Sequence, residues 1–447
     1  MRIEFVRGST QTGAFPAAST ARLVNMYPER LPEGALAQYI LRGVLGKQVF
    51  AVVPGLFVRA LQSVGDKLFA LSGGRLLNVR AQGDVEDIGA IPDDAMTLIR
   101  GNAGIVTITA AGRYFTFDGT DIDEVLSAPF NDMGGHDVLG GYTVITEKNG
   151  RRFQWSALQD ATELPGLNFA TAEARDDNII RPMSINGNLW LLKERTIEIW
   201  ALTGAPGAEA FARLPGAVIE TGLKGFGLAH KIPDGLFMVG SDNRAYIAAG
   251  SQLQRVSTPA VEYDLDRAEP TNCFFYEDEG HQFCVVRFRN RPAWVFDLSE
   301  GIWHERASGD GEAWDAQLVS QWRSEWYAAG QSGLVWHLCR CNVDDNHPLI
   351  RQATSHTAHN NGARFRVPKL EMHGRVGRSP GTLQVRVSRD GGKTWGLWQT
   401  RTMGAPGDWD QRMVFRALGQ ARRFAVQVRV TDPADLSLLS AADLEVA

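Results

Sequence analysis

Cys273-Phe274-Phe275-Tyr276, Gln282-Phe283-Cys284-Val285-Val286 and Ala293-Trp294-Val295-Phe296-Asp297 are three short apolar runs in close succession. Turn residues separate them. Each run is too short for a stable helix, and its β-branched and aromatic residues fit a strand buried on both faces. One small sheet of such strands cannot bury its own faces. It must stack against others of its kind.

The same unit recurs in both directions along the chain. Its middle strand is Lys67-Leu68-Phe69-Ala70-Leu71 in the first copy, then Ile105-Val106-Thr107-Ile108, Tyr142-Thr143-Val144-Ile145 and Leu189-Trp190-Leu191-Leu192. Gly235-Leu236-Phe237-Met238-Val239 precedes the quoted stretch, and Glu325-Trp326-Tyr327-Ala328 follows it. Seven units can be counted, 37 to 47 residues apart. Several strands per period of about 40–50 residues is the mark of a β-propeller. The expectation is an all-β chain: a propeller of about seven blades, with five to seven possible, over residues 58–345. Unrelated hairpins in sandwiches are the alternative.

Residues 1–57 lack this pattern and are punctuated by Pro28, Pro32 and Pro54. They read as an extended N-terminal arm. Its side chains include Phe5, Phe15, Val24, Met26, Tyr27, Tyr39, Ile40 and Phe50, too apolar for a free tail, so the arm is expected to pack on its own propeller or on a neighbouring subunit. Residues 346–362 are polar and aperiodic and read as a linker. Residues 363–447 alternate strictly in Leu383-Gln384-Val385-Arg386-Val387-Ser388 and in Phe424-Ala425-Val426-Gln427-Val428-Arg429-Val430, which fits a small β-sandwich with one solvated face.

The chain has 447 residues, 44% hydrophobic and 22% charged, with 47 glycines and a net charge of −5. Disorder and a global nucleic-acid footprint are excluded as dominant features. The N-terminus has no signal-peptide pattern, and no run reaches the roughly 18 apolar residues of a membrane span. Four cysteines do not make a disulfide scaffold. Cys339 and Cys341 are expected to be unbridged, too close to pair within a regular strand, and folding in a reducing cytoplasm is expected. From Gly362 onward 14 Lys and Arg face 8 Asp and Glu, a net of +6, whereas the rest of the chain carries −11. Opposite signs point to separate domains and to head-to-tail packing in an assembly.

Ser388-Arg389-Asp390-Gly391-Gly392-Lys393-Thr394-Trp395 fits the Asp-box pattern S-x-D-x-G-x-T-W. Asp390 can close the turn, Gly392 supplies positive φ, and Trp395 is expected to pack under the hairpin. Ser388, Asp390, Gly392, Thr394 and Trp395 therefore form a structural motif. Cys339, Cys341, His347, His356 and His359 are the one metal-like cluster, but their spacing matches no standard zinc finger, and no metal is expected. Carboxylates such as Asp93-Asp94 and Asp176-Asp177 fall at turns. No phosphate loop, dinucleotide fingerprint, nucleophile elbow or zinc-protease motif is present. The expectation is a protein that is not an enzyme and takes no cofactor.

Three places resemble one family. Val24-Asn25-Met26-Tyr27-Pro28-Glu29 resembles the "VN-(L/M)-Y-P-E" opening of phage tail proteins, and Pro54-Gly55-Leu56 the "PG-(L/I)" that follows it. Arg195-Thr196-Ile197-Glu198-Ile199-Trp200-Ala201-Leu202-Thr203-Gly204 resembles a segment of the packaged-DNA stabilisation proteins of short-tailed (podovirus) phages, with Lys224-Gly225 after it. The run from Asp390 to Val446 is similar in order, although Thr394-Trp395 departs from the family pattern.

The resemblance implies a virion structural protein, a tail hub that closes the head after packaging. It would form a ring, hexameric, joining the portal-adaptor proteins to the tail needle and supporting tailspikes. Packaged DNA would be only the content of its channel, with no membrane insertion, in a virion assembled in the bacterial cytoplasm. On this reading Val24, Asn25, Met26, Tyr27 and Pro28 are candidate interface residues of the arm. The alternative is a carbohydrate-binding or sialidase-like propeller, which would show an aromatic-lined groove.

Overall fold

A computed structural model describes residues 1–11, 19–127, 130–250, 252–376, 380–408 and 411–446; Phe15 lies outside them. The described chain is all-β apart from the helix Pro259–Leu265 and the short 3-10 turn Gly207–Glu209. Five four-stranded antiparallel meanders stand as separate sheets, spanning 58–90, 98–124, 133–171, 179–219 and 229–255. Pro270–Asp278, His281–Phe288, Ala293–Asp297 and Ile302–Ser308 make another four-stranded unit. Ala316–Trp322, Glu325–Gly330 and Leu334–Cys339 make a three-stranded one. The arrangement is a β-propeller whose blade number falls within the expected range of five to seven.

Tight turns set the meander. Ile185 pairs with Asn188 across Asn186-Gly187, both at positive φ (47° and 75°), the backbone of a two-residue hairpin whose twist matches its strands. The middle strands quoted from the sequence lie inside the stacked blades: Leu68, Ile108, Val144, Leu189, Leu191, Leu236 and Phe237 have no exposed surface. The last blade packs against the first, where the Ser63 amide donates to Ser320 Oγ (3.1 Å) and Trp322 Nε1 donates to the Asp66 carbonyl (2.7 Å).

The arm supplies what the last blade lacks. Gly46–Val52 runs antiparallel to Leu334–Cys339 as its fourth strand, with Leu334 opposite Val52 and Cys339 opposite Gly46. Residue 46 must be glycine, because a Cβ there would lie 2.3 Å from the Val343 carbonyl oxygen. A strand from the chain's start thus closes a blade from its end, removing an exposed sheet edge.

The rest of the arm builds the second domain. Arg2–Glu4 pairs with Ala441–Glu445, and Tyr39–Gly43 pairs with both Met26–Arg30 and Leu436–Leu439, in one sheet of the sandwich. Arg22–Val24 joins the other sheet, antiparallel to Arg351–Thr354, which in turn pairs with Arg423–Val430. Thr382–Ser388 lies beyond. Arm residues Ile3, Phe5, Leu23, Met26 and Leu41 share one core with Leu370, Met372, Leu383, Val385, Phe415, Val426 and Leu438.

Three expectations are corrected here. The described part of residues 1–57 is not a separate arm: it supplies strands to the last blade and to both sandwich sheets. Residues 346–362 are not a linker, since Arg351–Thr354 is an internal strand with Ala353 fully buried. Arg351, also fully buried, donates Nη1 to the Ala434 carbonyl (2.5 Å) and Nη2 to the Asp432 carbonyl. Finally, Cys339 and Cys341 are joined by a disulfide. The strand ends at Cys339, so the chain is free to turn back, and the rule for regular strands does not apply.

Candidate assembly surface and propeller axis

Val24-Asn25-Met26-Tyr27-Pro28 is the junction of the two domains. Val24 pairs in parallel with Glu305 on the outer strand of one blade, while Gln352 pairs with it on the other side. A single sheet therefore runs from the propeller through Arg22–Val24 into the sandwich. Asn25 takes φ 54°, and its backbone amide donates to the Glu305 carbonyl (2.9 Å). Its side-chain Nδ2 donates to the carbonyls of Ala307 and Ile350 (both 2.9 Å), and its Oδ1 accepts from the Ala307 amide (3.0 Å).

The positive φ sends the next two side chains to different cores. Met26 enters the sandwich core, whereas Tyr27 packs between blades with Phe274, Tyr276 and Phe283. Burial pushes the Tyr27 phenol up to about 12. All five residues are buried, so in the isolated chain they are an intramolecular weld and not an exposed interface.

Ser388, Asp390, Gly392 and Thr394 meet in one hydrogen-bonded turn. Ser388 Oγ donates to Asp390 Oδ1 (2.7 Å), and the amides of Lys393 and Thr394 donate to the same oxygen (both 3.0 Å). Thr394 Oγ1 donates to Asp390 Oδ2 (2.6 Å), and the Gly392 amide donates to Ser388 Oγ (2.7 Å). The Thr394 bonds, with those from Ser388 and Lys393, hold the Asp390 carboxyl well below the usual carboxylate range. Gly391 and Gly392 supply φ of 77° and 89°. Trp395 is not packed under the hairpin. It is half-buried on the outer face, where the Arg386 guanidinium sits 5.4 Å from its ring and 4.4 Å from that of Trp398. With the Asp390 carboxylate and the Ser388 and Thr394 hydroxyls engaged within the turn, the motif is a loop clamp.

His347, His356 and His359 do not gather around the disulfide, and among the described residues no group of three or more His, Cys, Asp or Glu could hold a metal. His356 instead faces Ser19 Oγ (3.5 Å).

Charged residues that the sequence reading passed over converge on the propeller axis. Inner strands from around the ring line a cavity of about 420 Å³ there. Arg100, Asp137, Arg181 and Lys231 come from four different blades, one strand each. Asp137 Oδ1 accepts from Arg100 Nε (2.8 Å); its Oδ2 accepts from Lys231 Nζ (2.8 Å) and from the Ser184 amide (2.6 Å). Burial alone would raise its carboxyl, but the two cations hold it well below the usual range. His136 is buried beside this group, between Thr107 (2.9 Å) and Thr109 (3.0 Å). Burial and the Arg100 charge push its imidazole down to about 3. The signal available in the sequence was a charge set in an otherwise apolar inner strand, as in Asp137-Val138-Leu139.

A family model described as bacteriophage P22 Gp10, beta-propeller, matches residues 1–334, and one described as bacteriophage P22 Gp10, beta-sandwich, matches residues 350–446. The chain belongs to the bacteriophage P22 Gp10 family. This is the podovirus tail-hub and DNA-stabilisation family, and its members are phage structural proteins. No curated protein matches the chain. Among solved structures it is similar to the computationally designed Ika8 protein, with a TM-score of 0.42 and 10% identity over 65% of this chain and 99% of that one, a likeness too low to carry any argument.

In this P22 Gp10 family member the residues that carried the family resemblance are structural ones. Val24 to Pro28 weld the domains. Thr196 and Glu198 belong to a buried network in which Lys193 Nζ meets Asp177 (2.9 Å) and Glu198 (3.0 Å), all three side chains being inaccessible. The Asp177 carboxylate also accepts from the amides of Arg195 (2.9 Å) and Thr196 (3.0 Å).

Proposed function

We propose that this protein is the hub of a short phage tail, joining the portal-adaptor ring above to the distal tail below and helping to retain packaged DNA. The observation that carries the proposal is the family match to both domains, which together span nearly the whole chain. On this reading it acts as a ring, hexameric, with portal-adaptor proteins, the needle and tailspikes as neighbours. DNA is the content of the channel, and the protein is assembled into virions in the host cytoplasm.

Two features of the fold support a mechanical role. A sheet shared by propeller and sandwich transmits load through backbone hydrogen bonds, where a flexible linker would not. The closing strand and the turn after it expose Val49, Val52, Leu56 and Phe57 (42%, 67%, 71% and 39%), an apolar stretch suited to burial on assembly. The opposite net charges of the C-terminal part and the remainder suit head-to-tail contact between copies.

The carbohydrate-binding and sialidase-like alternative gains no support. Arginine, histidine and amide side chains mark the axial cavity, with Phe226 and Phe274 its aromatic residues and no Tyr among the lining. Negative-stain images of virions made without this protein test the proposal. Incomplete tails and lost DNA are expected; particles that keep their DNA and carry complete tails would overturn it.

A further inference from the structure

The axial cavity holds more positive than negative charge. At its edges Arg59 pairs with Asp93 (2.9 Å) and Arg289 with Glu269 (3.0 Å), so these groups cancel. Beside the cavity, Arg100 of its lining and Lys231, whose side chain is 41% exposed, share the single carboxylate of Asp137, which the Ser184 amide also engages. Arg181 has no carboxylate partner among the described residues. It is only 9% exposed, and its Nη1 donates at 3.2 Å and 3.3 Å to the carbonyls of Phe226 and Ala229. Its Nε has no hydrogen-bond partner, and neither does Nε2 of Gln317, another lining donor.

Three cations therefore face one carboxylate. Burying a guanidinium without a counter-charge is costly, and an unmet buried donor adds to the cost. The surroundings register the excess. Burial and the Arg100 charge push the Arg181 guanidinium down to about 10, and burial with Arg100 and Arg181 nearby outweighs Asp137 in lowering Lys231. His230, which also lines the cavity, is pushed down to about 4 by burial and the same cations. The positive charges come from strands of different blades, so the framework presents them already in place.

We infer that the propeller axis binds a small oxyanion of phosphate type, with Arg181 as its principal contact and Arg100 and Lys231 completing the positive field. A planar guanidinium with a free Nε–H suits the two oxygens of a phosphate or sulfate. The volume of about 420 Å³ admits a free phosphate or the phosphate of a small ester. Cys273 lines the same cavity beside Arg181, but burial pushes its thiol up and away from the nucleophilic thiolate form, and the proposed role of the site is binding. This inference is independent of the hub proposal.

The test is isothermal titration of the purified full chain with inorganic phosphate, at ionic strength held constant with sodium chloride. Thermal melts run across the same series. One site per chain and a saturable rise in melting temperature are expected. R181Q should abolish both, and K231Q should weaken binding about tenfold through loss of one nearby charge. Adenosine monophosphate in a parallel arm separates the sources: tighter binding than phosphate assigns an ester, equal or weaker binding assigns the free ion. Absence of heat and of any melting shift with both probes overturns the inference, and so does undiminished binding in R181Q. Should R181Q fail to fold, undiminished phosphate affinity in K231Q overturns it instead.

Discussion

Asn25 and Ala307 pair as if both were strand residues, although only one contributes backbone: the Asn25 carboxamide donates to the Ala307 carbonyl (2.9 Å) and accepts from the Ala307 amide (3.0 Å). A side chain thus continues the hydrogen-bond ladder at the point where the sheet passes from propeller to sandwich. The backbone of Asn25, at φ 54°, is free to turn and send Met26 and Tyr27 into separate cores.

Substituting Asn25 tests this joint. N25A loses three hydrogen bonds and places a Cβ-bearing residue without a compensating amide at positive φ, and N25G loses only the bonds. N25A is expected to destabilise the chain by about 3 kcal/mol, and N25G by about 1 kcal/mol less than that. Denaturant unfolding of both variants measures the difference. Wild-type stability in N25A would show that the joint is carried elsewhere.

Deleting residues 1–30 should damage the monomer itself. The deletion removes Ile3, Phe5, Leu23, Met26 and Tyr27, all buried, and three strands of the sandwich sheets. A lower melting temperature and loss of near-ultraviolet circular dichroism are expected. A truncated monomer as stable as the full chain would mean that the arm serves a partner.

The Lys193 network offers a second structural test. E198A leaves Lys193 buried with Asp177 alone and is expected to cost about 3–5 kcal/mol. K193M/E198M removes both charges and should cost less than the sum of the two single changes, because Asp177 keeps the amides of Arg195 and Thr196. Equal additive losses by chemical denaturation would exclude coupling.

Acid should loosen the propeller before most carboxylates titrate. Burial pushes His136 down to about 3 and His304 to about 4, below the unfolded value of about 6.5. A depressed folded value means that stability is complete above the unfolded pKa and is lost as pH falls toward the folded one. His281 has the opposite sign. Burial would lower it, but its bond to Asp297 (2.7 Å) raises it, so its contribution is full below about pH 6.5 and fades as pH rises through the raised value. Melting temperature against pH in H304N and H281N should therefore flatten the acid and alkaline sides respectively. Profiles parallel to wild type would refute the assignment.

The continuous apolar run of Leu189 to Leu192, the turn at Asn186-Gly187 and the period of the repeat determined the propeller from sequence alone, because blade strands pair with their chain neighbours and carry their pattern with them. The Asp-box turn was legible for the same reason, its donors and acceptors lying within seven residues. Only the tertiary structure decided where residues 1–57 go. Gly46–Val52 meets Leu334–Cys339, and Arg22–Val24 meets Arg351–Thr354, across well over half of the chain's length. Short strands paired at such separation carry no local periodicity, since their partners and not their own sequence complete the sheet. The axial group of Arg100, Asp137, Arg181 and Lys231 was hidden likewise: each is a single charge in an unremarkable strand, and only the closure of the ring brings them within reach of one another.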